Sequence, residues 1–250
     1  MKTVLLVCLM LVLFAALLCG GVFAEAAPEP GIDMPTPRER LGLDAEDSPD
    51  WARETAEAAG AEQVLIIAAH EKTTAWVSLH EKDENGAWKM ILSTPGFIGK
   101  NGLGKTREGD GMTPVGTFCF NRAFGIAPDP GCAIPYVQAD DETYWSGDMR
   151  PGMRYNELVS LEELPRLNKA VSEHIVDCTY EYQYCLNISY NAEGRYGAGS
   201  AIFLHCLGSR KPYTGGCVAI PMDQMLFIMQ HVSPDCAVVI DTLENLGGSF

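Results

Sequence analysis

The sequence is short of positive charge: 18 Lys+Arg stand against 33 Asp+Glu in 250 residues, a formal net charge of −15. A surface of that sign repels phosphate backbones and anionic headgroups, which argues against nucleic acid and leaves cationic or amine-bearing partners easier to accommodate. Internal repeats are lacking, which excludes solenoid and propeller architectures. Nothing in the sequence requires a metal ion or an organic cofactor. Long apolar runs are also lacking after residue 24.

Before that point lies an apolar run, LLVCLMLVLFAALL, preceded by Lys2 and followed by GGVFA. Val22 and Ala24 fit a small-residue cleavage site, so residues 1–24 read as a secretory signal peptide, or as a membrane anchor where cleavage fails. Cys19 follows two leucines, and a lipid-attachment site needs a small residue there. The chain is therefore expected to be exported, to the cell envelope, cell wall or exterior, with membrane contact only through this segment. Residues 25–50 carry five prolines, eight acidic and two basic residues, the composition of an acidic Pro-rich linker. Residues 51–250 then form one domain with ample length for a core.

Seven cysteines follow the N-terminal segment: 119, 132, 178, 185, 206, 217 and 236. Outside the cytosol they can pair, and an odd number leaves at least one thiol. Cys178 and Cys185, the nearest pair, are the first candidates for a bridge.

The domain alternates like a β protein. VLIIAA, TTAWVSLHEK and AWKMILSTP read as strands, the last two joined through Asn85-Gly86, a hairpin-turn signal. Further strands are expected at VGTFCF, YQYCLNISYN, SAIFLHC, GCVAI and AVVIDT. Helical spacing appears in WARETAEAAGAEQ, in SLEELPRLNKAVSEHIVDC and in PMDQMLFIMQHV, where Met222, Leu226 and Met229 would share a face. The expected fold is mainly β with a few peripheral helices.

GKNGLGKT, from Gly99 to Thr106, has the letters of a phosphate-binding loop. Such a loop must open directly into a helix, so that amides and dipole converge on phosphate. Here REGDGMTPVG follows, with Gly109, Gly111, Pro114 and Gly116, which break a helix. The segment reads as a glycine-rich loop, with Lys100, Lys105 and Arg107 lending positive charge to a groove rim. The other histidines read as packed or solvated: His174 within a helix, His70 and His80 in solvent, His231 at a helix end where the dipole favours a cation. Tyr144, Trp145, Tyr155 and Asn156 fit either a groove wall or the core. Asn187-Ile188-Ser189 has the form of a glycosylation sequon but sits mid-strand.

HCLGSRKPYTGGCVAIP, from His205 to Pro221, carries more chemistry. SAIFLHC is a strand, so His205 and Cys206 face opposite sides and cannot both reach Cys217. A zinc site built on all three would fail on that ground and lack a fourth ligand. A Cys206–Cys217 disulfide or a structural Cys217 stays open. So does a nucleophile with its base: imidazole accepts the thiol proton, and Gly215-Gly216 permits a tight turn whose amides, at Gly216 and Cys217, would face a developing oxyanion.

His205 followed by Thr214-Gly215-Gly216-Cys217-Val218 resembles the signature of L,D-transpeptidases with the YkuD-type catalytic domain. Thr113, Pro114, Gly116 and Phe118 match that family's T-P-x-G-x-F element, and TYWSGDMRPGMRYN is similar to a Tyr-Trp…Tyr-Asn segment of one bacterial branch. The resemblance spans roughly residues 64–242. It implies a β-sandwich-like domain acting on peptidoglycan stem peptides, with Cys217 as nucleophile, His205 as base, and Gly216, Gly215 and Thr214 around the oxyanion and substrate. It also implies a thioester formed with release of D-alanine and passed to an amine, as a cross-linking transferase, or to water, as a carboxypeptidase. Another cysteine amidase of the wall, or a non-catalytic wall-binding module, are the alternatives. Gly215 stands where many members have a second histidine, and Ala219 where many have an arginine. Arg210 or Lys211 would then anchor a substrate carboxylate.

Overall fold

The computed structural model describes residues 45–208 and 211–249. The signal or anchor segment and most of the linker lie outside the described residues. Order reaches into the end of that linker: strand β1 (Glu46–Asp47) pairs with Met90 and Lys89, and helix α1 (Asp50–Ala59) follows at once. Gly60, at φ 68°, ends the helix, a conformation glycine adopts without steric cost.

The next elements are β2 (Gln63–Ala69), β3 (Thr74–Lys82) and β4 (Trp88–Phe97). Asp83 shapes the turn joining β3 to β4, its carboxylate accepting the N–H groups of Asn85 and Ala87. Of the two turn residues singled out, Gly86 alone takes a positive φ, 79°. Then come β5 (Gly116–Gly125), β6 (Tyr136–Gln138), β7 (Thr143–Trp145), β8 (Leu158–Ser160) and β9 (Glu173–His174). The remainder is β10 (Cys185–Ile188), β11 (Phe203–Cys206), β12 (Val218–Ile220), helix α2 (Met222–His231) and β13 (Ala237–Thr242).

The main sheet runs β1-β4-β12-β11-β10-β5-β13-β2-β3, and β3 also pairs with β4, so the path returns on itself. The result is a mainly β, sandwich-like fold whose interior holds Leu65, Ile67, Val77, Leu79, Leu186, Leu204, Val218 and Ile220. β2 is apolar at nearly every position because both its faces are covered. Leu65 and Ile67 enter the interior, while Val64 and Ile66 pack with Ala52 and Ala56 of α1. A third cluster, Phe124, Trp145, Tyr182, Phe203 and Cys217, lies against the outer face of β10 and β11. The ring centroids of Phe124 and Phe203 stand 5.0 Å apart, edge to face, a geometry the ring quadrupoles favour. Those two strands are thus covered on both sides.

Three expectations need correction. Residues 160–178 form no α-helix: they hold turns, two 3₁₀ turns (Lys169–Val171 and Ile175–Asp177) and the short strand β9. Pro165 lacks the N–H a helix interior needs, and Ile175 is fully buried as an anchor of the third cluster. His174 accordingly stacks on Tyr144 from a strand, 4.4 Å between ring centroids. His80 is fully buried, not solvated, and its ring bridges Ser48 and Ser78 at 2.8 Å each. In α2 the buried residues are Met225, Phe227, Ile228 and Met229, so of the three residues expected to share a face Met229 is buried, Leu226 half-buried and Met222 exposed. Tyr144, Trp145, Tyr155 and Asn156 are buried, and the sequon's Asn187 is buried within β10.

All seven described cysteines are free thiols, Cys178 and Cys185 included. Cys185 is fully buried in β10.

Candidate active site

β11 sets the site by its alternation. Leu204 and Cys206 point into the sandwich interior. Phe203 packs in the outer cluster with Cys217, and His205 and Cys217 line one cavity of about 480 Å³. β12 runs parallel to β11 with His205 opposite Ala219, so Cys217 lies just before the first residue of that strand. The two residues twelve apart in sequence are thereby brought to one wall. Cys206 faces away from both, and no Cys206–Cys217 bridge exists.

The turn before Cys217 is held by two threonines. Thr214 Oγ1 accepts the Gly216 N–H at 3.1 Å and donates to the Cys217 carbonyl at 2.6 Å. From the opposite side Thr113 Oγ1 donates to the Gly216 carbonyl at 2.7 Å and accepts the Gly99 N–H at 2.9 Å. Gly216 has φ 148°, and a Cβ there would sit 2.8 Å from the Met112 carbonyl oxygen. Only glycine fits that turn. Its N–H is committed to Thr214, so in this state the amide expected to meet an oxyanion at Gly216 is already bonded. A Cβ at Gly215 would meet nothing, and Gly215 and Thr214 both line the cavity.

Burial favours the neutral form of both His205 and Cys217. Burial lowers the His205 pKa, offset in part by its bond to the Cys206 carbonyl and by Glu181. Burial pushes the Cys217 thiol up to about 12, and the negative charge of Glu173 adds to that, while the Phe203 N–H and Lys105 act in the other direction. The His205 Nδ1–H donates to the Cys206 carbonyl at 2.8 Å. That bond fixes the tautomer and leaves Nε2 with a lone pair for a proton. Tyr182 meets the imidazole edge to face, centroids 5.5 Å apart, and its hydroxyl donates to Glu173 at 2.7 Å. The Cys217 thiol donates to the Ala201 carbonyl at 3.2 Å and accepts the Phe203 N–H at 3.4 Å. Proton transfer from sulfur to imidazole is the chemistry such a pair can perform.

The GKNGLGKT segment opens no helix. It runs as irregular backbone, with single bridges joining Gly99 to Thr214 and Leu103 to Thr113. Through Gly99 it braces the turn before Cys217. Lys100 and Arg107 are exposed, but the Lys105 side chain is buried and pairs with Asp110 at 3.1 Å. Burial works against charge on Asp110, yet N–H groups of Thr106, Arg107 and Met112, with Lys105, bring its pKa down to about 2. Lys105, Glu108, Glu173, Glu181 and Lys211 all line the cavity, so carboxylates outnumber ammonium groups on its wall. Lys211 lines the cavity, its Nζ 5.9 Å from the centre of the Tyr213 ring; Arg210 lies outside the described residues. Sequence reasoning missed Glu173, Glu181 and Tyr182: Glu173 lies inside the stretch whose periodicity points to a helix, and no local motif marks Glu181 or Tyr182. It matched Thr113 to a motif without finding its grip on Gly216.

A comparison with curated proteins finds no match. Among solved structures the chain is similar to the helical cell shape determining protein Pgp2 from Campylobacter jejuni, at 16% identity and TM-score 0.40, covering 77% of this chain and 54% of that one. It is also similar to Mycobacterium tuberculosis L,D-transpeptidase 1, at 13% identity and TM-score 0.29, covering 72% of this chain and 62% of that one. The chain thus spans between half and two thirds of these longer proteins. Residues 63–240, which run from β2 into β13 and include both His205 and Cys217, match the L,D-transpeptidase catalytic domain model, YkuD, and the protein belongs to that family.

Proposed function

We propose that the protein is an exported cysteine L,D-transpeptidase of peptidoglycan. The observation that carries this reading is the shared cavity of Cys217 and His205, with His205 Nδ1 tied to the Cys206 carbonyl so that Nε2 is the available base. Family membership supports the substrate class, and the signal-like N-terminus supports export to where that substrate lies.

In the proposed reaction the Cys217 thiol passes its proton to His205 Nε2 as sulfur attacks the carbonyl of the third stem residue. The C–N bond to the terminal D-alanine breaks, and the departing amine takes the proton from the imidazolium. A neighbouring stem's amine then attacks the thioester, His205 accepts its proton, and the sulfur leaves as thiolate to be reprotonated. Oxyanion charge falls beside the turn of Thr214, Gly215 and Gly216, where the open side at Gly215 gives substrate room. The Glu108, Glu173 and Glu181 carboxylates on the wall favour a cationic amine as acceptor.

Purified tetrapeptide muropeptides, incubated with the full chain and read by mass spectrometry, test the proposal. Dimers joined between third residues are expected; tripeptides alone would make the protein a carboxypeptidase. No product, with Cys217 unlabelled by a carbapenem, would leave a wall-binding module.

A further inference from the structure

A buried knot of hydrogen bonds stands behind the nucleophile. Asn156, only 7% exposed, uses both ends of its amide. Its Oδ1 accepts the Trp145 Nε1–H at 3.0 Å and the Ala201 N–H at 3.0 Å. Its Nδ2 donates to the Tyr190 carbonyl at 3.1 Å and the Asn191 carbonyl at 2.9 Å. Ala201, so held, has φ 55°, a left-handed conformation that is strained for an alanine. Asn156 itself sits at φ 64°. Two non-glycine residues in that region, bonded to each other, mark a backbone that its surroundings overdetermine. What the strain achieves is visible one atom further on: the Ala201 carbonyl accepts the Cys217 thiol proton at 3.2 Å.

We propose that Asn156 is a positioning residue for Cys217: by fixing Ala201 it aims a carbonyl at the thiol, which holds the proton away from His205 until substrate enters. The inference rests on the reading of Cys217 as nucleophile. A hydrogen bond donated by the neutral thiol favours the protonated form. The resting enzyme is thereby protected from alkylation and oxidation, and the sulfur is held at one rotamer beside the turn of Gly215 and Gly216. The two consequences point in opposite directions when the bond is lost. The free thiol ionises more readily, while turnover falls because the sulfur is no longer aligned.

The test is the rate of iodoacetamide alkylation of Cys217 as a function of pH, mapped by mass spectrometry, beside kcat and KM for tetrapeptide turnover. In Asn156→Ala the alkylation midpoint is expected to fall by about one pH unit, with kcat reduced about tenfold and KM changed less than about twofold. Simple loosening of the fold would instead raise labelling of Cys185 and Cys206 together with Cys217 and leave the midpoint in place, which would overturn the proposal. Ala201→Gly, whose residue accepts this φ without strain, decides the matter where Asn156→Ala does not fold: the same shift is expected, about half as large. An unmoved midpoint in every folded variant overturns the proposal. Wild-type chain that neither labels at Cys217 nor turns over would instead overturn the reading of the nucleophile, so the two failures are distinguishable.

Discussion

The two sides of β11 carry neighbouring residues into different chemistry. On the inner side Cys206 is fully buried among Leu186, Leu204 and Ile220; on the outer side His205 shares a cavity with Cys217. Burial pushes the Cys206 thiol up to about 11 and the Cys217 thiol up to about 12. Acidity therefore does not separate them, and if anything favours the wrong one. Location does: Cys217 opens on a cavity with a base and an open turn, while the Cys206 sulfur faces the hydrocarbon interior. Under the proposed function, the reactive cysteine is distinguished by what can reach it rather than by its resting ionisation.

The most direct way to break the comparison is to remove each sulfur in turn. Cys217→Ala is expected to lower muropeptide turnover by at least about 10³-fold, and Cys206→Ala to leave it within about twofold while costing stability. Equal losses of activity would erase the distinction between the two sides. Next in size is the imidazole. His205→Ala should cost about 10²–10⁴ in kcat, measured with the same assay. Because burial lowers its pKa, the acid limb of kcat/KM in the wild type is expected below pH 6.5, the ordinary histidine value.

His80 sharpens the contrast from another strand, as an imidazole buried without a cavity. Burial lowers its pKa to about 4. The unfolded chain binds this proton at about 6.5 and the folded chain does not until about 4, so stability is fully present above pH 6.5 and is lost as pH falls toward 4. The loss attributable to this group is about 3 kcal/mol. Urea unfolding across that window should show it in the wild type and not in His80→Gln. Smallest is Thr113→Val, which strips the Gly216 carbonyl of a buried donor and should cost about 1–3 kcal/mol, with a drop in turnover that a thermal melt alone would not explain.

How far the sequence can be read is clear from particular elements. Alternation at β3 and β4 was legible because one face of each strand meets a single environment, while β11, buried throughout, was legible by its apolar composition. β2 was legible as a strand, but not its two-sided cover, since a continuous apolar run does not say what lies above it. Residues 160–178 misled because charged and apolar residues recur there at helical spacing, while Pro165 and the stacking of Tyr144 on His174 draw the chain into turns and β9. At the site, His205, Thr214, Gly215, Gly216 and Cys217 could be named because motif spacing is local. Glu173, Tyr182 and Ala201 could not, and Asn156 could be placed only as groove wall or core, as these residues come to Cys217 through the packing of distant segments.

The partner of the imidazole is a peptide oxygen, supplied by Cys206, whose own sulfur looks the other way. Scanning side chains one by one would pass over this anchor, since any L-residue at 206 presents the same oxygen. The orientation of the base is thereby insulated from point substitution at that position and tied to the path of the main chain. What fixes the imidazole is the integrity of β11, and whatever bends that strand will turn the ring.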